Sequence, residues 1–175
     1  MNKGFKVLII VMIVSTVVAS LWDKIPIIKN TSHIILDPTA GFLLNLNVDI
    51  GMILISGIIA LIITLVQKYT VDQESLKKIK GEQKILQEEM KKYKDHPEKL
   101  LELQKKQIEF LPQTMDLTMK PLVYTAVPML LFFRWFNDYF KSVDVKILGF
   151  FSWFWAYLIF SIIFSMIFRK VFKLP

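Results

Sequence analysis

Residues 68–120 form a charged, heptad-patterned segment with a proline break in its middle, set between hydrophobic runs long enough to cross a bilayer. A chain with this order cannot close around one small water-soluble core. Of its 175 residues 54% are hydrophobic, 14 of them Phe, more than such a core can hide. The fold class that follows is an all-α integral membrane protein: a three-helix transmembrane core, an antiparallel coiled-coil hairpin on the cytoplasmic side, and an N-terminal hydrophobic helix.

Three runs approach the roughly 20 apolar residues that a helix needs to cross a bilayer. Residues 50–66 carry no charge and contain Gly51 and Gly57, small residues that let neighbouring helices come close. Residues 121–136 are apolar except for Arg134, with Pro121 suited to a first helical turn and Pro128 expected to kink the span midway. Residues 147–168 are aromatic-rich and run into Arg169, Lys170 and Lys173, a basic anchor. A fourth run, residues 7–21, follows Lys3 and Lys6 and ends in small residues; it reads as a signal-anchor, an interfacial helix or a cleaved signal.

The expected divisions are 1–22 for the N-terminal helix, 23–49 for an extracytoplasmic segment, 50–67, 121–137 and 147–168 for the core spans, 68–120 for the hairpin, 138–146 for an outer loop and 169–175 for a basic cytoplasmic tail. If every run crosses, the lysines of the N-terminus, the hairpin and the C-terminal tail all fall on one side, which the positive-inside rule makes cytoplasmic. The plasma membrane is the expected location. Asn30-Thr31-Ser32, a glycosylation sequon, would lie on the opposite side.

Within the hairpin, Leu76, Ile79, Gln83, Leu86, Met90 and Tyr93 alternate steps of three and four, the seam of a coiled coil. Asp95-His96-Pro97-Glu98 supplies a stop and a new helix start, after which Leu100, Leu103, Gln107 and Phe110 repeat the spacing. The segment holds 12 lysines against 10 acidic residues, so it is a mixed-charge, solvated element rather than a basic nucleic-acid surface. Recognition of a nucleic-acid sequence is not expected.

Polar residues recur inside the spans at helical spacing. Ser56, Thr64 and Gln67 share a stripe with Ala60; Ser161 and Ser165 lie four apart, Ser152 near the start of the last run, and Thr125 in the proline-bearing span. Converging stripes would enclose a polar groove lined by Ser56, Thr64, Gln67, Thr125, Arg134, Ser152, Ser161 and Ser165. The alternative is that each hydroxyl satisfies its own backbone. Met115, Met119, Lys68 and Lys120 would stand at the groove's mouth, where flexible methionines suit varied apolar segments. Arg134 has Asp138 one turn on as the expected ion partner at the outer interface.

Other chemistry is excluded or unsupported. With no cysteine there are no disulfides or thiolate sites, and His33 and His96 are far apart, so no metal site is expected. No phosphate loop is present and no cofactor is expected. Paired acids or histidines at membrane depth, which an intramembrane enzyme would need, are missing, as are the acidic residues a cation channel would want along its pore.

The order of parts resembles the YidC/Oxa superfamily of membrane insertases, closest to the small archaeal YidC-like proteins and related to the third subunit of the endoplasmic-reticulum membrane protein complex. The resemblance runs from about Asp49 to Arg169 and rests on YTVDQESL from Tyr69 to Leu76, LQEEM from Leu86 to Met90, LLELQKKQ from Leu100 to Gln107, and Met115 to Pro121. It implies a three-helix core with a hydrophilic groove open to cytoplasm and lipid, which passes hydrophobic segments of nascent proteins into the bilayer without ATP. The implied partners are nascent membrane-protein clients, a ribosome and the lipid bilayer; whether a second membrane subunit completes the groove stays open. Bacterial members carry an arginine in the first core span, absent from residues 50–66, and two further spans that this chain lacks. A scaffold that docks a ribosome or cytoplasmic partner through the coiled coil needs only the hairpin and its anchors, and is the competing function.

Overall fold

The computed structural model describes residues 3–143 and 145–175. Met1, Asn2, Asp144 and the Lys3 side chain lie outside the described residues, and with them part of the expected 1–22 and 138–146 segments. Among the described residues the helices are α1 Lys3–Leu21, α2 Pro26–Leu36, α3 Phe42–Leu46, α4 Val48–Thr70, α5 Gln73–Lys92, α6 Pro97–Val143 and α7 Trp153–Val171, with a π-helical turn Asp37–Gly41 between α2 and α3. No strand is found among them beyond one isolated bridge between Ile147 and Phe151.

Among the described residues three helices are long and apolar enough to cross a membrane: α1 over Gly4–Leu21, α4 and α7. The N-terminal run, ambiguous in sequence, therefore qualifies, while the expected span 121–137 within α6 does not reach the same measure, being short and interrupted by Arg134. That stretch nevertheless lies beside α1. The Gly4 N–H donates to Asp116 Oδ1 at 2.6 Å, Arg134 Nη2 donates to the Ala19 carbonyl at 2.6 Å, and Trp22 Nε1 donates to Asp138 Oδ2 at 3.0 Å, so the two helices run parallel in register.

α4 starts where the Asn47 side chain accepts the Ile50 N–H at 2.9 Å. Gly51 is required there by close approach: a Cβ would lie 2.6 Å from the Leu43 carbonyl oxygen and 2.9 Å from Leu44 Cα, backbone atoms that cannot swing away. At its other end, one extended residue, Val71, separates α4 from Asp72, whose carboxylate accepts the N–H groups of Glu74 and Ser75, each at 3.1 Å. Gln73 Nε2 closes the junction by donating to the Gln67 carbonyl at 2.7 Å. The hairpin thus leaves the bundle through a short, fully capped corner.

α5 and the first part of α6 lie antiparallel, with Gln83 Nε2 3.5 Å from Thr114 Oγ1. Of the expected seam, Leu76, Ile79, Leu86 and Leu103 are buried and Met90, Leu100 and Phe110 half-buried. Tyr93 is the exception: α5 stops at Lys92, so its ring falls past the helix end, 41% exposed and 6.1 Å from the His96 ring.

The helix ends differ from three of the expected divisions. α6 spans 47 residues, Pro97 to Val143, about 70 Å at 1.5 Å per residue, passing through Pro112, Pro121 and Pro128; no break separates hairpin from span at residue 120, and the loop expected from 138 begins only after Val143. Each interior proline removes one helical hydrogen bond, a loss offset by the packing of α6 against α1, α4 and α5. The last helix begins at Trp153, not at residue 147, because Leu148 and Gly149 take left-handed φ values of 52° and 81° in a turn bridged by Ile147 and Phe151.

The core sits at the end of the bundle away from the hairpin. Trp22, Leu44, Met52, Trp135, Phe136, Ile147 and Ala156 are almost fully buried there. Phe136 and Phe140 stack on Trp153, ring planes within 14° and 11°, and Phe133 meets Tyr157 edge-on at 5.1 Å. Such pairs add about 0.5–1.5 kcal/mol each beyond burial. The expected segment 23–49 is helical over most of its length and leaves Ile27, Ile34, Ile35, Phe42 and Leu46 exposed, an apolar surface on the same end.

Candidate functional site

α4 presents two faces. One carries Ser56, Ala60 and Thr64 into close packing with α7, where the Phe164 ring approaches Gly57. The other carries Ile55, Ile58, Ile59, Ile62, Ile63 and Val66, and faces α6 across a gap. Tyr124, Thr125, Pro128, Met129 and Phe132 form the opposite wall, and Pro38 to Leu43 close the end away from the hairpin, without Gly41. The partly open cavity between them measures about 590 Å³. Along α4 it reaches from Ile55 to Val66, about 16 Å of helix.

Its walls are hydrocarbon. The hydroxyls among them are Thr39, Tyr124 and Thr125, and two of these are used by the backbone: Thr125 Oγ1 donates to the Pro121 carbonyl at 3.0 Å and Thr39 Oγ1 to the Ile35 carbonyl at 2.8 Å. No ionisable side chain other than the Tyr124 phenol lines it.

Of the eight residues assigned to a polar groove, only Thr125 reaches this cavity. Ser56 and Thr64 are 0% and 1% exposed in the α4–α7 seam, and Thr64 Oγ1 donates to the Ala60 carbonyl at 2.6 Å. Gln67 is half-buried at the hairpin corner; Ser161 donates to the Leu158 carbonyl at 3.0 Å; Ser165 is half-buried; Ser152 is exposed ahead of α7. Apart from Thr125 these residues do not line the cavity, and hydroxyls in an apolar helix are satisfied most cheaply by their own preceding turn or by close packing. At the expected mouth, Met115, Met119 and Lys68 are half-buried and Lys120 exposed, and none of them borders the cavity.

Arg134 also differs from expectation. Its guanidinium turns to α1 and caps the Ala19 carbonyl, one of the last four that an α-helix leaves without a donor. Asp138 is taken by other groups: Lys29 Nζ at 2.9 Å, Trp22 Nε1 at 3.0 Å and His33 Nε2 at 3.8 Å. His33 Nδ1 lies 3.2 Å from Asp37, whose carboxylate accepts Trp135 Nε1 at 2.7 Å. No spacing rule links Asp138 to Trp22 and Lys29, each more than a hundred residues earlier, so pattern reading passes over this cluster.

Ser56 Oγ is the one fully buried span hydroxyl without a partner among the described residues. An unpaired buried hydroxyl is a net cost. Ser56→Ala is therefore expected to hold or raise thermal stability in detergent, by up to about 1 kcal/mol, and to leave activity unchanged. A loss of activity at full stability would instead return Ser56 to the functional surface.

The fold and its cavity define a multi-pass helical membrane protein with a recess between α4 and α6. Residues 33–150, more than half of the chain, match the family described as Integral membrane protein EMC3/TMCO1-like, and the chain belongs to that family. The family lies within the YidC/Oxa1/Alb3 insertase superfamily. The match leaves out α1 and α7. No curated protein and no solved structure matches the chain.

Proposed function

We propose that this protein inserts hydrophobic segments of nascent membrane proteins into the bilayer, with the α4–α6 cavity as the recess that first receives them. The observation that carries the reading is an apolar cavity between α4 and α6 in a chain of this family. A client's apolar segment needs no hydrogen bond from the walls, since a helix satisfies its own backbone, and burial of roughly 20 apolar residues drives release into lipid without ATP. The hydrophilic groove first expected becomes an apolar one.

In this reading the α5–α6 hairpin is a coiled coil in the cytoplasm, the lysine-rich ends face the same side, and the membrane is the plasma membrane. α1 is a retained span: it is joined to α6 through Gly4, Ala19 and Trp22. Ribosome contact and a second subunit belong to the same proposal.

A docking scaffold is the second reading, and one observation favours it: Leu101, Ile108 and Leu111 stand 55–61% exposed on the hairpin. Photo-crosslinkers at Ile62, Thr125 and Met129, compared with Leu101 and Ile108, separate the two on a stalled ribosome-bound client. Adducts from the first set to the client's apolar segment are expected; adducts from the hairpin set alone would leave the scaffold.

A further inference from the structure

Ile50, Leu54, Ile58 and Ile62 recur every four residues along α4 and are 46–58% exposed, the face that a membrane-crossing helix turns to lipid. Ile58 and Ile62 belong to the cavity wall as well, and Tyr124, itself exposed, stands on the facing helix. The lipid-facing surface of α4 therefore continues into the cavity, through an opening that no charged side chain borders.

Depth and polarity decide what such a space can hold. From Ile55 to Val66 the cavity follows the hairpin-side half of α4: it starts four residues beyond the helix midpoint at Ile59 and stops four short of Thr70. That length, about 16 Å, is about half of the roughly 30 Å hydrocarbon core of a bilayer, the depth of one leaflet. Water finds too few partners there, since it needs two to four and the Thr39 and Thr125 hydroxyls already donate to backbone carbonyls. Leaving the space empty costs the walls their dispersion contacts. At about 590 Å³ it is about four times the apolar cavity of roughly 150 Å³ that takes up benzene, the scale of one long lipid chain.

Building on the client reading of this cavity, we propose that one hydrocarbon chain of a phospholipid, drawn from the leaflet on the hairpin side, fills it until a client segment takes its place. The lipid-facing stripe of α4 gives the chain its way in, and the end closed by Pro38 to Leu43 limits how deep it goes. A client then exchanges one apolar filling for another, so its entry leaves no cavity wall bare.

The full chain in nanodiscs of phosphatidylcholine carrying a diazirine on one acyl chain tests this, with adducts located by peptide mass spectrometry. Leu54 and Ile10, exposed and outside the cavity lining, report the lipid that surrounds the protein. Ile59, only 8% exposed, and Met129, half-buried on the facing wall, report a chain inside the cavity. Adducts are expected at both pairs. Thr125→Trp, which places an indole in the cavity, is expected to cut those at Ile59 and Met129 about tenfold, the loss of affinity that about two excluded methylenes bring, and to leave those at Leu54 and Ile10 unchanged. Adducts confined to Leu54 and Ile10 would overturn the lipid chain while leaving the client reading to stand on capture from Thr125 and Met129. Loading with a stalled client is expected to remove the adducts at Ile59 and Met129; adducts that persist would keep the lipid site and overturn the cavity as the client's route.

Discussion

Thr125→Trp is expected to block insertion while leaving the protein folded. Thr125 stands in the wall of the α4–α6 cavity, and an indole there occupies space a client segment would need. The cavity is partly open and its walls are apolar, so the new ring gains burial and stability is expected to change by less than about 1 kcal/mol. A client that can no longer bury one or two large side chains loses roughly 1.5–3 kcal/mol for each, and every 1.4 kcal/mol is tenfold. Insertion of a single-span client into proteoliposomes, read by protease protection, is therefore expected to fall at least about tenfold. Ile62→Trp on the facing wall is expected to act the same way. Ile10→Trp is the control, on a side chain of α1 that is 59% exposed and remote from the cavity lining. If Thr125→Trp inserts clients as well as that control, the cavity is not the route.

Why this wall escaped sequence reading is physical. Ile55, Ile58, Ile59, Ile62 and Ile63 are what any lipid-facing helix carries, so nothing in their identity distinguishes a cavity from a bilayer; only the position of α6 opposite them does. Ser56 and Thr64 drew attention because polar atoms are expensive in hydrocarbon, yet the cost is met locally or left unmet inside the α4–α7 seam. Elements with strong local signals were legible. The run at 50–66 forms most of α4, Pro97 opens α6 as a proline in a first turn should, and the three-four spacing of Leu76, Ile79 and Leu86 coincides with their burial. Signals that tertiary packing can overrule misled: Pro121 suggested a fresh helix start, but α6 continues through it and through Pro128, and the apolar stretch from Ile147 hid a turn that only the φ values of Leu148 and Gly149 reveal.

Loss of the Asp138 carboxylate is expected to loosen the end of the bundle that the hairpin does not touch. Three groups from α2 and the link before it converge on Asp138: Lys29 Nζ, the His33 ring and Trp22 Nε1. Burial alone would raise the Asp138 pKa, but hydrogen bonds from Lys29 and Trp22 and the Lys29 charge outweigh it, so the carboxyl is held below its ordinary value. The same hydrogen bond, with the carboxylate charge, raises the pKa of Lys29. A depressed acid stabilises the fold above its unfolded pKa of about 3.9 and loses that contribution as pH falls through the folded value; a raised lysine contributes below about 10.4 and loses it as pH rises through its own. Stability from this pair should accordingly be flat across neutral pH and fade only toward either extreme. Lys29 is 40% exposed, so solvent screening holds its share to about 1 kcal/mol or less. The buried Trp22 indole, stripped of its acceptor, adds a cost of its own, and Asp138→Ala is expected to lose about 2 kcal/mol in all. Asp138→Asn, which keeps an acceptor for the indole but not the charge, should lose about half as much. Thermal unfolding of both variants in detergent at neutral pH measures the difference. Equal losses would assign the effect to the ion pair alone, and no loss from Asp138→Ala would show that α1 and α2 are held to α6 by Arg134, Trp135 and the apolar core without help from this carboxylate.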